Sequence, residues 1–123
     1  MDHNPVGWFE IYVQDMERAQ KFYESVFEVK LEKLKVPAMD MRAFPMARGV
    51  SGAGGSLVKV EGFPSGGNST LIYFNCVDCA VEAGRVVAAG GRLQREKSSI
   101  GEYGFIALAF DSEGNLIGLH SMQ

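Results

Sequence analysis

Histidine is nearly missing from this chain: His3 and His120 are the only two among 123 residues. Cysteine is as scarce, with Cys76 and Cys79 forming C-V-D-C and no second pair or histidine group to complete a four-ligand zinc site. One such pair builds no disulfide framework, and no charged-then-apolar leader precedes it, so a reduced, cytoplasmic setting is expected. Positive charge is not in excess either. Twelve basic against fifteen acidic residues leave a formal charge of −3, which removes the electrostatic footprint of a nucleic-acid binder or of a protein drawn to an anionic membrane. No apolar run reaches the roughly 20 residues of a membrane-spanning helix. What the chain does have is 46% hydrophobic residues, enough at this length to bury the core of one soluble domain, residues 1–123, without covalent or metal staples.

The most organised stretch is VGWFEIYVQDMERAQKFYESVF, residues 6–27. From Val6 to Val13 the β-branched and aromatic residues suit a pleated strand, while Ala19, Phe22, Tyr23, Val26 and Phe27 recur at the spacing of one helical face. Asp15 stands at the switch, placed to accept a hydrogen bond from a free amide of the first helical turn, and Glu17 adds charge where the helix dipole favours it. Beyond it, Val29 to Lys35 alternates as a half-wet strand until Pro37. Met41 to Met46 reads as a further strand that Pro45 pushes towards an edge, and Arg48 to Gly55 as a loop before a strand over Ser56 to Val60.

Gly62 to Asn68, GFPSGGN, is the joint. After it the pattern returns: a strand over Thr70 to Cys76, a cap at Asp78, a helical stripe of Ala80, Ala83, Val86 and Val87, and a stop at Gly90 and Gly91. Strands follow over Arg92 to Lys97, Gly104 to Phe110 and Asn115 to His120, the last two joined by the turn DSEG. Each half, about 5–62 and 69–121, therefore reads strand, helix, three strands. Asp15 in IYVQDMERA matches Asp78 in FNCVDCAVEA, and internal duplication explains the match. C-V-D-C falls at the second strand-to-helix switch, where a thiol pKa can fall, although a buried cysteine more commonly serves as a small hydrophobe.

The repeated unit, the helix motif D-M-E-R-A-x-x-F-Y-x-x-V-F and the ending D-x-E-G-N resemble the vicinal oxygen chelate superfamily of glyoxalase I, extradiol dioxygenases and bleomycin-resistance proteins, over nearly the whole chain. The resemblance implies an α+β fold in which two tandem βαβββ units form a curved mixed sheet, often in a homodimer, with the concave face as the binding cavity. It also implies metal ligands, usually His and Glu, on the first and last strands of each unit. Registered on Asp15 and Asp78, those positions fall at Trp8, Ile72, near Ser56, and at Gly118. An indole, an alkyl chain and a bare backbone are not ligands for a divalent ion, so no metal and no other cofactor is expected.

Strand alternation from Trp8 brings Glu10 and Tyr12 to the same inner side, with Phe9, Ile11 and Val13 packed under the helices. Ile72, Phe74 and Cys76 are expected inside from the second unit, and Leu116, Gly118 and His120 from the last strand. Trp8 and Phe74 would stack on a planar ligand, with Gly118 leaving room beside them. A carboxylate such as Glu10 in an apolar strand needs a basic partner, for which Lys59 and Arg42 are candidates, or else it is suited to acid-base work. Tyr103 and Gly104, in SSIGEYGF, either enter a strand or form a loop over the cavity.

Three readings follow. The first is a protein that binds a small apolar or aromatic molecule through Trp8, Glu10, Tyr12, Ile72, Phe74, Gly118 and His120, without metal or chemistry. The second is a metal-independent isomerase or lyase in which Glu10 removes a proton next to a carbonyl and His120 or Tyr12 steadies the oxyanion. The third is a metal-dependent lactoylglutathione lyase or dioxygenase, which the residues at the ligand positions oppose.

Overall fold

In the computed structural model, residues 2–50, 52–67, 70–110, 112 and 115–123 are described. They follow one order of elements twice: β1 (Val6–Tyr12), α1 (Met16–Phe27), β2 (Glu32–Lys33), β3 (Asp40–Ala43) and β4 (Gly54–Lys59), then β5 (Thr70–Asn75), α2 (Cys79–Ala83), β6 (Arg92–Ser99), β7 (Phe105–Phe110) and β8 (Leu116–Ser121). The expected α+β class and the two βαβββ strings are both present. The expected DSEG turn lies, apart from Ser112, outside the described residues.

Chain contacts divide these residues into two compact units, one of Phe9–Thr70 and one of Met1–Trp8 with Leu71–Gln123. The boundary passes through β1, which leaves its first three residues with the later part of the chain.

In the 9–70 unit, β3 pairs antiparallel with β2 on one side and with β4 on the other, and β4 continues to β1. Asp15 caps α1 as expected, its carboxylate accepting from the Arg18 N–H at 3.1 Å. The helix lays Met16, Ala19 and Tyr23 against Ile11, Val13, Leu31 and Leu57. The expected stripe is therefore only partly buried. Phe22, Val26 and Phe27 are more than half exposed, because Met16 and Ala19 turn the helix so that Tyr23 alone of its aromatic residues reaches inwards, edge-on to Phe44.

Two strand expectations in this unit are also corrected. The alternating run 29–35 pairs only at Glu32 and Lys33, because Leu31 is drawn under α1, where its N–H donates to Glu24 Oε2 at 2.8 Å. Nor is β3 an edge. It is flanked on both sides, and Pro45 sits beyond its end, after Phe44 N–H has donated to the Gly55 carbonyl.

In the other unit, β8 lies between β5, to which it is parallel, and β7, to which it is antiparallel; β6 follows on β7 with two register shifts between Leu93 and Ser98. On the other side of β5, the Asn75 N–H donates to the Pro5 carbonyl at 2.8 Å. Here α2 is shorter than expected. It is capped by Asp78, which accepts from the Ala80 N–H, and it stops at Gly84, while Gly90 at φ +100° turns the chain into β6. Of the expected stripe only Ala83 joins the buried cluster among the described residues, and it packs with Cys79 on Ala107 and Leu119. The amide of Cys79 donates to Ser121 Oγ, a buried hydroxyl that passes its own proton to the Gln123 carbonyl.

Candidate functional site

The packing of α1 settles which side of its sheet is free of helix. Ile11, Val13 and Leu57 belong to the cluster under α1, so the pleat turns Glu10 and Tyr12 of β1, and Ser56 and Val58 of β4, to the opposite face. Cross-strand pairing adds Ala43 opposite Ser56 and Met41 opposite Val58. Among the described residues this face is apolar except for four oxygen-bearing side chains: Glu10, Tyr12, Ser56 and, opposite Ala43 on the outer strand β2, the exposed Glu32. Tyr12 Oη donates to Glu10 Oε1 at 2.6 Å, and Ser56 Oγ is fully buried with no hydrogen-bond partner among the described residues. A short hydroxyl-to-carboxylate bond of this kind holds both side chains in one geometry.

Neither basic residue expected to meet Glu10 lies on this face. Arg42 is paired with Leu57, on the α1 side, where its guanidinium grips Asp40 through two hydrogen bonds of 2.7 and 3.0 Å and donates to Gln20 Oε1 at 2.8 Å. Lys59 alternates with Leu57 onto the same side. The Arg42 guanidinium holds the Asp40 carboxyl below its ordinary range.

Tyr12 has a second neighbour that strand patterns do not announce. Phe63, in the turn segment after β4, stacks on its ring with centroids 5.2 Å apart and planes 22° from parallel. Two hydrogen bonds fix the same segment, from Gln14 Nε2 to the Phe63 carbonyl and from Ser65 Oγ to the Tyr12 carbonyl. The only sequence signal was the density of glycine and proline around Phe63, which marks a turn but not its destination.

In the other unit, α2 fixes the faces in the same way. Phe74 and Cys76 pack into the α2 cluster with Leu119, Leu93 and Phe105. Phe74 and Cys76 are thus on the helix side, and Ile72 goes with them by alternation, which corrects the expected inward placing of all three. The side shared with Gly118 and His120 instead receives Leu71 and Tyr73. The reason is a slip of one residue: Leu71 precedes the cap Asp78 by seven positions, as Trp8 precedes Asp15, whereas Ile72 precedes it by six.

Gly118 does not leave an opening. A Cβ placed on it would run into the ring of Tyr73, its partner in the β5–β8 register, and both residues are buried. His120, paired with Ile106 on β7, points its Nε2 at the Tyr103 carbonyl, 2.6 Å away. A carbonyl can only accept, so Nε2 carries the proton of this bond. Tyr103 closes a 3-10 turn over Gly101–Tyr103, and Gly104 N–H bonds back to the Gly101 carbonyl.

The C-V-D-C pair is not arranged for redox work. Cys79 has no exposed surface, and burial, with the nearby Glu82 carboxylate second, pushes the Cys76 thiol up to about 11, the opposite of an activated thiol. Asp78 is held below the ordinary carboxylate range, first by Lys97 Nζ at 2.8 Å and then by the Ala80 amide. Among the described residues no three His, Cys, Asp or Glu side chains gather as a metal shell. Among the described residues no helix is long and apolar enough to cross a membrane.

The family profile of the glyoxalase/bleomycin resistance protein/dioxygenase superfamily matches residues 6–119. Comparison with curated protein sequences gave no match. Among solved structures, methylmalonyl-CoA epimerase from Mycobacterium tuberculosis superposes with a TM-score of 0.71 at 17% identity, over 97% of this chain and 88% of that one. A variant of the Streptomyces coelicolor methylmalonyl-CoA epimerase in complex with 2-nitronate-propionyl-CoA gives 0.68 at 15% identity, over 95% and 93%. An uncharacterized protein from Methanosarcina mazei gives 0.63 at 14%, over 100% and 95%. At these identities the likeness is one of fold.

Proposed function

Because the chain belongs to the glyoxalase/bleomycin resistance protein/dioxygenase superfamily, we propose that it binds a small apolar or aromatic organic molecule on the helix-free face of its 9–70 unit, without a resident metal ion. The observation that carries this reading is the Tyr12–Glu10 pair, a 2.6 Å bond on the same face as Met41, Ala43, Val58 and the buried Ser56 hydroxyl. A few fixed polar groups on an apolar wall suit recognition of a mostly apolar molecule with one polar end. The make-up of the pair supports the metal-free part, since one carboxylate with the neutral hydroxyls of Tyr12 and Ser56 is a poor shell for a divalent ion. Titration of the protein with 2-naphthol, followed by calorimetry with and without a chelator, tests the reading. Saturable binding that the chelator leaves unchanged is expected; binding abolished by the chelator, or no binding at all, would overturn it. A homodimer in the cytoplasm belongs to the same reading, and solution mass checks the assembly.

The Tyr12–Glu10 bond also favours a second reading, a metal-independent isomerase or lyase. A carboxylate fixed by a phenol is placed to take a proton next to a substrate carbonyl, and once Glu10 is protonated the phenol can turn its own hydrogen bond from the carboxyl to the developing oxyanion. His120 is not assigned to this chemistry, because its Nε2 proton is given to the Tyr103 carbonyl. The epimerase names of the fold neighbours make methylmalonyl-CoA the first compound to try. Deuterium wash-in from heavy water, followed by NMR, should occur with the native protein and vanish in Glu10→Gln. Equal wash-in by the variant would remove Glu10 as the base.

A further inference from the structure

Residues 61–67 form the one described segment that reaches onto the Tyr12 ring, and they do so without joining the core. Every residue from Glu61 to Gly67 is exposed, and Phe63 keeps 48% of its surface in solvent although it stacks on Tyr12. Among the described residues the segment is held by the ring stack, the Gln14 bond to the Phe63 carbonyl and the Ser65 bond to the Tyr12 carbonyl. Between and beside these points lie Gly62 at φ +93°, Gly66 at +81° and Gly67 at +54°, and a Cβ on any of them would touch nothing within 4 Å. Left-handed glycines in open space are the backbone type that absorbs a large dihedral change without unpacking its neighbours.

We infer that Phe63 is a stand-in for the ligand: its ring occupies the stacking place on Tyr12, and the 61–67 segment swings out on its glycines when a planar aromatic molecule takes that place. This rests on the reading of the Glu10–Tyr12 face as the binding face and adds the class of molecule bound there. The chemistry is that of the stack already present. A flat ring lying 5.2 Å from the Tyr12 centroid takes over the π-face that Phe63 covers, and a hydroxyl on that ring reaches the polar end set by Tyr12 and Glu10. A saturated ring of the same size has no flat face to offer.

The test compares the native protein with Phe63→Ala and Gln14→Ala, using 2-naphthol and decahydro-2-naphthol as probes in calorimetry. Removing the competing ring should tighten 2-naphthol binding about three- to tenfold, in keeping with the strength of an aromatic pair. Gln14→Ala, which loosens the segment without touching either ring, should tighten it about two- to fivefold. Amide hydrogen exchange over residues 61–67 of the native protein should rise when 2-naphthol saturates it. Equal or weaker 2-naphthol binding by Phe63→Ala would overturn the stand-in while leaving the binding face intact. Equal affinity for the saturated probe would overturn the aromatic class. Absence of binding in every variant would sink the binding face and the strap together.

Discussion

His120 and Tyr103, seventeen residues apart in the chain, are joined by a 2.6 Å contact from an imidazole nitrogen to a main-chain carbonyl. The bond ties the 100–104 loop to β8, and among the described residues the other hydrogen bonds of the loop are short-range: Ile100 N–H to the Gly104 carbonyl, Gly104 N–H to the Gly101 carbonyl and Gly101 N–H to Ser99 Oγ. His120 is a latch on this loop, which accounts for its position on the last strand without assigning it chemistry. His120→Leu keeps bulk and removes the donor. It should cost about 1 kcal/mol and raise amide exchange at Ile100 and Gly104 above that of the β7 core. Unchanged exchange at both amides would show that the latch holds nothing.

Gly118 against Tyr73 is a packing constraint of a different kind. A methyl group at position 118 collides with a buried ring, so Gly118→Ala should destabilise the protein by about 1–3 kcal/mol, read from chemical denaturation. The double variant with Tyr73→Ala should lose less than the two single changes added together, because each removes the other's obstacle. Strict additivity would mean the two do not meet.

Cys76 should be slow to alkylate. With its thiol raised from the usual value near 9 to about 11, it carries on the order of 100-fold less thiolate at pH 8 than an ordinary cysteine. Iodoacetamide labelling followed by mass spectrometry should show it reacting at most on the order of a hundredth as fast as free cysteine, and Glu82→Gln should speed it up by removing the second cause of the shift. Fast labelling of the native protein is the contrary result.

Acid stability follows from three carboxylates held below their ordinary range: Asp40 by Arg42, Asp78 by Lys97 and Glu24 by the Leu31 amide. Since the folded value is the lower one, the stability they add is present in full above the ordinary carboxylate range and is lost as the pH falls through the lowered values. Denaturation midpoints should therefore be flat near neutrality and drop under acid. Asp78→Asn should flatten the acid limb, and an unchanged limb would discount the Lys97 pairing.

How much of this could be read from residues alone depends on range. The caps at Asp15 and Asp78 and the repeated order of elements are local signals, and they hold in the structure. Glu10 and Tyr12 were legible as same-face neighbours because they stand two apart on one strand. The phase of β5 was not. Counting six residues back from Asp78 instead of seven moved Ile72 and Phe74 to the wrong side and hid Tyr73, since a one-residue error in a strand reverses every side chain. The helical stripe over-counted too. Phe22, Val26 and Phe27 obey the period of α1 but stay exposed, and periodicity ranks a face without saying how wide a strip its neighbours cover. Phe63 on Tyr12 and His120 on Tyr103 are meetings between a strand and a distant turn, for which spacing carries no signal.

The passage of β1 from one compact unit to the other at Trp8 and Phe9 limits how the molecule can be taken apart. A gene fragment beginning at residue 70 would encode β5 to β8 but lack the Pro5 carbonyl that receives the Asn75 amide, leaving a naked rim open to intermolecular strand pairing. A half-protein meant to stay soluble would need residues 2–8 grafted back beside β5, so the repeated order of elements does not mark two independently expressible halves.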